Sequence, residues 1–157
     1  DNWALEPCYN IPLEQLMSVM EKSIMDGYSF AWGADVSEKG FSFRNGLAIN
    51  PNVVSDTIFK HPTKEKWVTA EERQIAYDRQ TTTDDHGMHI TGICKDQNDN
   101  KYFIVKNSWG DGNYCKGYLY ASFPYARYKT MNIMIHKDAL SNVFDGPISL
   151  RKRLKLK

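Results

Sequence analysis

The chain has 157 residues, a length that suits one domain. Its apolar content of 41% and charged content of 25% are ordinary for a soluble globular protein. A formal net charge of +1 gives no global field toward nucleic acid or membrane, and no apolar run approaches the ~18 residues of a membrane helix.

The start, DNWALEPCYNIP, lacks Met and begins mid-phrase, as expected of a processed product or an excised piece, and any targeting signal would have been lost with the missing part. IPLEQLMSVMEKSIMDG reads as the first helix. Pro12 suits a first helical position, and Leu13, Leu16, Met17, Met20 and Ile24 recur as one apolar stripe. Gly27 suits a helix stop. An alternating, aromatic strand follows from about Tyr28 to Ala34. Ser37 to Lys66, rich in Gly, Asn, Asp, Ser and Pro, reads as a long surface excursion. TAEERQIAYDRQ is a short helix whose Thr69 and Glu72 form a capping box. A meander comes next: strand HGMHITGICKD, turn QNDN with Asp99 and Asn100, strand KYFIVKNSW, then the glycine-bearing loop GDGNYCKG. GYLYASF is a further strand, and TMNIMIHKD another after a polar linker. One substantial helix followed by mostly antiparallel sheet is an α+β pattern.

Within the meander, His86 stands where a loop enters a strand, and Asn107 where the partner strand leaves the sheet. Antiparallel pairing through QNDN brings these two ends together. An asparagine carbonyl accepting a ring N–H would hold the imidazole in one tautomer and leave its other nitrogen free to take a proton from a thiol. Trp109 could roof that bond, and Gly87 would leave room for a substrate. A metal centre is not expected. His86 and His89 have opposite parity on a strand, and the helical His-Glu-x-x-His arrangement is absent. Neighbouring Asp84 and Asp85 diverge for the same reason and suit exposure or turn capping.

A nucleophile is harder to find. Three cysteines, Cys8, Cys94 and Cys115, show no paired spacing, which favours reduced thiols and a cytoplasmic location. Cys94 lies eight residues along the strand from His86, roughly 26 Å at 3.3 Å per residue. Cys8 lacks a helix start that would lower its pKa, and nothing aims Cys115 at His86. All three are expected to pack.

HGMHITGI, then YFIVKNSWG and KGYLYAS, resemble the His and Asn segments of papain-like cysteine peptidases. YNIPLEQLMSVMEKSIMDGYSFAWGADVSEKGF, TTTDDHGM and YKTMNIMIHKDAL are similar to the bleomycin hydrolase and aminopeptidase C branch in its bacterial form. The resemblance runs from about Tyr9 to Leu140 and implies a papain-like fold. Residues 1–140 would be its carboxy-terminal half, an antiparallel sheet or partial barrel with one long helix and short helices. It also implies a cysteine-type aminopeptidase acting on peptides, with His86 as base and Asn107 as orienter. The catalytic Cys and an oxyanion-hole Gln would come from an amino-terminal half. In such enzymes the Cys lies about 130–150 residues before the His. Only 85 residues precede His86, so it is expected upstream of Asp1 and the chain alone is expected to be inactive. No cofactor is implied, and the family's hexameric rings make a homo-oligomer the expectation. The face bearing His86 is expected to present apolar surface to the missing half, with Trp109, Trp32 and the helix methionines as candidates.

Residues 141–157 end in LRKRLKLK and read as a solvated basic tail; the family architecture implies that it runs toward the His86 side. A non-catalytic scaffold or nucleic-acid-binding module using that tail is the alternative. It is the weaker one, because no aromatic residue is interleaved with the basic ones.

Overall fold

A computed structural model of the chain describes residues 8–140. Helix α1, Leu13–Met25, starts after Pro12, whose carbonyl accepts the first helical bond from Leu16 N–H at 2.9 Å. Pro12 therefore sits at the N-cap, one position before the expected one. The helix stops at Gly27, whose φ of +88° is left-handed and open to glycine without steric cost. Gly27 N–H and Tyr28 N–H return to the Ile24 and Ser23 carbonyls at 3.0 and 2.9 Å, closing a Schellman turn.

Strand β1 follows at Phe30–Ala34, then β2 at Phe41–Ser42 and β3 at Leu47–Ala48. Helix α2, Ala70–Asp78, carries the expected capping box: Thr69 Oγ1 accepts from Glu72 N–H, and the Glu72 carboxylate from Thr69 N–H. The meander is β4 (His86–Lys95), β5 (Lys101–Lys106) and β6 (Tyr118–Ser122). Its first turn is wrapped around Asp96, whose carboxylate accepts the Asn98 and Asn100 N–H groups, with Asp99 left-handed at φ +63°. Helix α3, Phe123–Lys129, and β7, Thr130–Met134, follow, and a short 3₁₀ turn at Lys137–Leu140 is the last element among the described residues.

The seven strands form one curled half-barrel sheet in the order β2-β3-β6-β5-β4-β1-β7. Every named pairing is antiparallel except β3 with β6. Its inner face packs Phe30, Trp32, Met88, Ile90, Phe103, Val105 and Leu119 against Met17 and Met20 of α1. Burying each such side chain removes about 1.5–3 kcal/mol worth of apolar surface from water.

Two expectations are corrected. The segment between Ser37 and Lys66 is not purely a surface excursion. It supplies a hairpin that extends the sheet, and it buries Ala48, Ile49 and Ile58. The linker between β6 and β7 is α3. Ser122 caps it by accepting Tyr125 N–H at 3.1 Å, Pro124 fits its first turn, and Phe123, Tyr125 and Ala126 are buried. Its Arg and Lys made it look polar, but those stems are buried too. The basic tail, its expected path toward His86 and the boundary at residue 140 concern residues 141–157, outside the described residues.

Candidate active site

β4 begins at His86 and β5 ends at Lys106, so His86 and Asn107, the residue after β5, meet at one end of the hairpin. Which face each takes depends on a β-bulge between Ile90 and Gly92. Below it, Lys95 pairs with Lys101 and Gly92 with Ile104; above it, Ile90 pairs with Val105 and His89 with Lys106. Continued without the bulge, the lower register would set Asn107 level with His89, on the face opposite His86. The extra residue moves Asn107 level with Met88, which has the parity of His86.

His86 Nε2 lies 2.7 Å from Asn107 Oδ1. The same oxygen accepts Ser108 N–H at 2.7 Å. Two donors on one atom settle which end of the amide is oxygen, because a flipped amide would aim its own N–H groups at a backbone N–H. Oδ1 can only accept, so His86 Nε2 donates, and in the neutral ring Nδ1 is the nitrogen that carries the lone pair. Asn107 is 3% exposed, and its Nδ2 is enclosed without a hydrogen bond among the described residues. The Trp109 indole tilts over His86, ring centroids 4.5 Å apart. Phe41 and Phe43 meet Trp109 edge-on at 5.9 and 5.4 Å. Indole and imidazole thus shield the His–Asn bond from water, although Trp109 itself is 48% exposed.

Asn107 is held by its own backbone: its N–H donates to Gly117 O at 3.0 Å. Gly117 has φ +84°, and a Cβ there would stand 2.7 Å from Gly110 O and 2.5 Å from Lys106 Nζ. Gly117→Ala is therefore expected to cost about 1–3 kcal/mol, measured by urea denaturation. Gly87→Ala is the control. Its Cβ would meet nothing within 4 Å, and the change should stay within about 0.5 kcal/mol. Equal effects would mean that the Gly117 turn carries no strain.

The remaining expected residues fall as follows. Gly87 is exposed and points away from the His86 face, so the open space around it is not beside the imidazole. His89 points outward, 3.0 Å from Ser29 Oγ. Asp84 accepts from Asn132 Nδ2 and Asp85 from Val36 N–H, at 2.8 and 2.9 Å, so the two carboxylates diverge. No group of three or more His, Cys, Asp or Glu capable of holding a metal occurs among the described residues. Trp32 does not line an exposed face: it is 1% exposed, under the sheet with Met17 and Met20, and only Trp109 of the expected apolar candidates reaches solvent near His86. The helix stripe was amphipathic, and it is the sheet that uses it.

Of the cysteines, Cys8 is exposed rather than packed, while Cys94 and Cys115 are half-buried. Burial pushes both half-buried thiols up, with the Asp96 charge adding to Cys94. That direction is opposite to the one an activated nucleophile requires.

Residues 6–149 match the model of the Peptidase C1-like family. The chain belongs to that family. Over 133 residues this Peptidase C1-like chain is 27% identical to aminopeptidase C of Streptococcus thermophilus, covering 84% of the chain and 28% of that protein. The solved structure of PepW from Lactobacillus rhamnosis HN001 is similar with a TM-score of 0.64 at 20% identity, over 85% of this chain and 28% of that one. That likeness is one of fold. The chain spans about 28% of the length of these relatives.

Sequence reasoning missed Phe41 and Phe43, which complete the aromatic wall beside His86 in this Peptidase C1-like chain. A signal was present. Asn45-Gly46 is a turn dipeptide between Phe41-Ser42 and Leu47-Ala48, and Gly46 N–H does close the turn on Phe43 O at 3.0 Å.

Proposed function

We propose that this chain supplies the general base and its orienter to a cysteine-type peptidase that cleaves peptides from the amino end. The observation that carries the reading is the His86 Nε2–H···Oδ1 Asn107 bond beneath Trp109. It leaves Nδ1 as the free acceptor of the imidazole, the arrangement needed to take a thiol proton. His86 removes that proton as the thiolate attacks the peptide carbonyl. The imidazolium then gives it to the departing amine, releasing the first product and leaving an acyl-thioester. Water, deprotonated by His86, completes the hydrolysis. Asn107 keeps the ring from turning through both transfers.

The nucleophile in this reading stands on residues outside the 157. Cys94 lies at the other end of β4 from His86, Cys115 is disfavoured as a thiolate, and Cys8 is exposed ahead of α1. The half that carries the Cys is a partner of this chain, and the wall formed by Trp109, Phe41 and Phe43 is the surface it would meet. Self-association through that wall, as part of a homo-oligomer, belongs to the same reading.

The test uses the chain alone and mixed with the upstream segment of its gene, with a thiol reductant and an aminoacyl fluorogenic substrate. Turnover is expected only in the mixture, since a base without a nucleophile cannot form the covalent intermediate. Robust turnover by the chain alone, blocked on alkylating Cys8 or Cys115, would place the nucleophile within it and overturn the reading.

A further inference from the structure

His86 is delivered by residues 79–85, which connect α2 to β4 without forming a helix or strand. Such a connection would ordinarily be the loosest part of a site. Here five consecutive residues are fastened to the corner where β1, α3 and β7 meet. The centre of that corner is Lys129, the last residue of α3, whose side chain is 3% exposed. Its ammonium donates to Thr82 Oγ1 at 2.7 Å, to Thr81 O at 3.2 Å and to the Glu38 carboxylate, and lies 3.5 Å from Asp35 Oδ2.

Asp35 carries the tie further. It directly follows Ala34, which pairs with His86 across β1 and β4. Its Oδ2 accepts Thr83 N–H at 3.2 Å, its Oδ1 accepts the Ser37 N–H and hydroxyl, and its own N–H donates to Lys129 O at 3.1 Å. Asp84 and Asp85 complete the series through Asn132 and the Val36 N–H. Burial opposes the Asp35 charge, but the Ser37 and Thr83 hydrogen bonds and the Lys129 ammonium outweigh it and hold the carboxyl below the ordinary aspartate value. The side chains of Asp35 and Lys129 are both almost wholly enclosed, at 1% and 3% exposed. A buried cation serving two carboxylates, a hydroxyl and a carbonyl has its full set of partners only with Thr81 and Thr82 in place, and Thr83 is held beside them by Asp35.

We infer that Lys129 is a positioning residue for His86: by anchoring residues 81–83 to the α3 corner, it sets where the imidazole enters the site. The inference rests on the base role proposed for His86, which Lys129 does not touch. Its consequence is geometric. An imidazole displaced by about 1 Å can cost 10²-fold in rate, and an untethered loop would allow such displacements at the first residue of β4. Simple propping of the fold would make a different demand. Then any loss on removing Lys129 would spread over the core, rather than concentrate at His86 and the loop.

The experiment follows the full chain by NMR, using solvent exchange of the His86 Nε2 proton and of the amides of residues 82–85. Two variants are compared with wild type. Lys129→Met removes the ammonium at similar length. Thr82→Val removes one acceptor from the same network at nearly constant shape and keeps the test open if the first variant fails to fold. The expected result is about tenfold or faster exchange of the His86 Nε2 proton and the Thr83 amide, with amides of β5 and β6 unchanged. In the peptide-hydrolysing mixture, kcat should fall about tenfold while KM holds, as positioning is lost and binding is not. Folded variants whose His86 proton exchanges within about twofold of wild type would overturn the inference. So would a uniform rise in exchange across β5 and β6, which means general destabilisation. A loosened His86 with kcat intact would uphold the anchoring and instead count against His86 as the base.

Discussion

On the proposed mechanism, replacing His86 with alanine is expected to lower peptide turnover by roughly 10³-fold or more in the mixture with the upstream segment, because a general base and its nucleophile act as a unit. A free thiol with a pKa near 8.5 is only partly ionised at neutral pH, and the departing amine needs a proton it cannot take from water at speed. One imidazole meets both needs, so its loss is felt twice. The control is His89→Ala. His89 lies three residues along the same strand, but it points outward to Ser29, on the other face. It should leave kcat/KM within about twofold of wild type, as surface changes away from a site usually do. Retention of more than a tenth of the activity by His86→Ala, with the circular dichroism unchanged, would remove His86 from the mechanism.

Trp32→Ala is expected to destabilise the chain by about 3–5 kcal/mol, the range for emptying a large aromatic site in a packed core. Trp32 lies between Phe30 and Ala34 on β1, wholly buried, and its Nε1 donates to Thr130 Oγ1 at 2.8 Å. The hydroxyl of Thr130 in turn donates to Ala126 O at 2.6 Å, so the indole also fastens the end of α3 to the central sheet. Trp32→Phe separates the two contributions. It keeps most of the apolar contact and removes the indole donor, and about 1–2 kcal/mol is expected. Urea denaturation at neutral pH measures both. A cost below about 1 kcal/mol for Trp32→Ala would mean that the site collapses around the deletion and that Trp32 is not a keystone of the sheet.

The aromatic character of β1 was plain in the sequence, but the depth of Trp32 was not. An alternating strand announces which residues share a face and leaves open which face is covered. Trp32 and the methionines of α1 looked like a surface awaiting a partner, because each stripe taken alone is apolar and unclaimed. They claim one another: α1 lies across the sheet and buries Met17 and Met20 against Trp32 and Phe30. Helix α3 was hidden for a related reason. FPYARYK holds a proline, an arginine and a lysine, and only long-range partners such as Glu14 and Glu38 let its charged heads go inside.

By itself the sequence determined what depends on neighbours along the chain. The capping box at Thr69 and Glu72, the Gly27 stop, the Asp96–Asn100 turn and the meeting of the ends of β4 and β5 are all local, set by side chains and dihedrals within a few residues. That was enough to name His86 and Asn107 as partners. It was not enough to put them on one face. That depended on the bulge at Thr91, an offset of one residue in a ladder whose side chains alternate every residue. Gly92 inside the strand pattern hinted at it, but a glycine marks where a bulge is easy, not where pairing demands one. The tertiary structure also decided the wall around the imidazole. Phe41 and Phe43 reach Trp109 because β3 joins the sheet in parallel beside β6, more than seventy residues away along the chain. Facing, burial and register belong to pairs of segments, so they are settled only when distant segments pack.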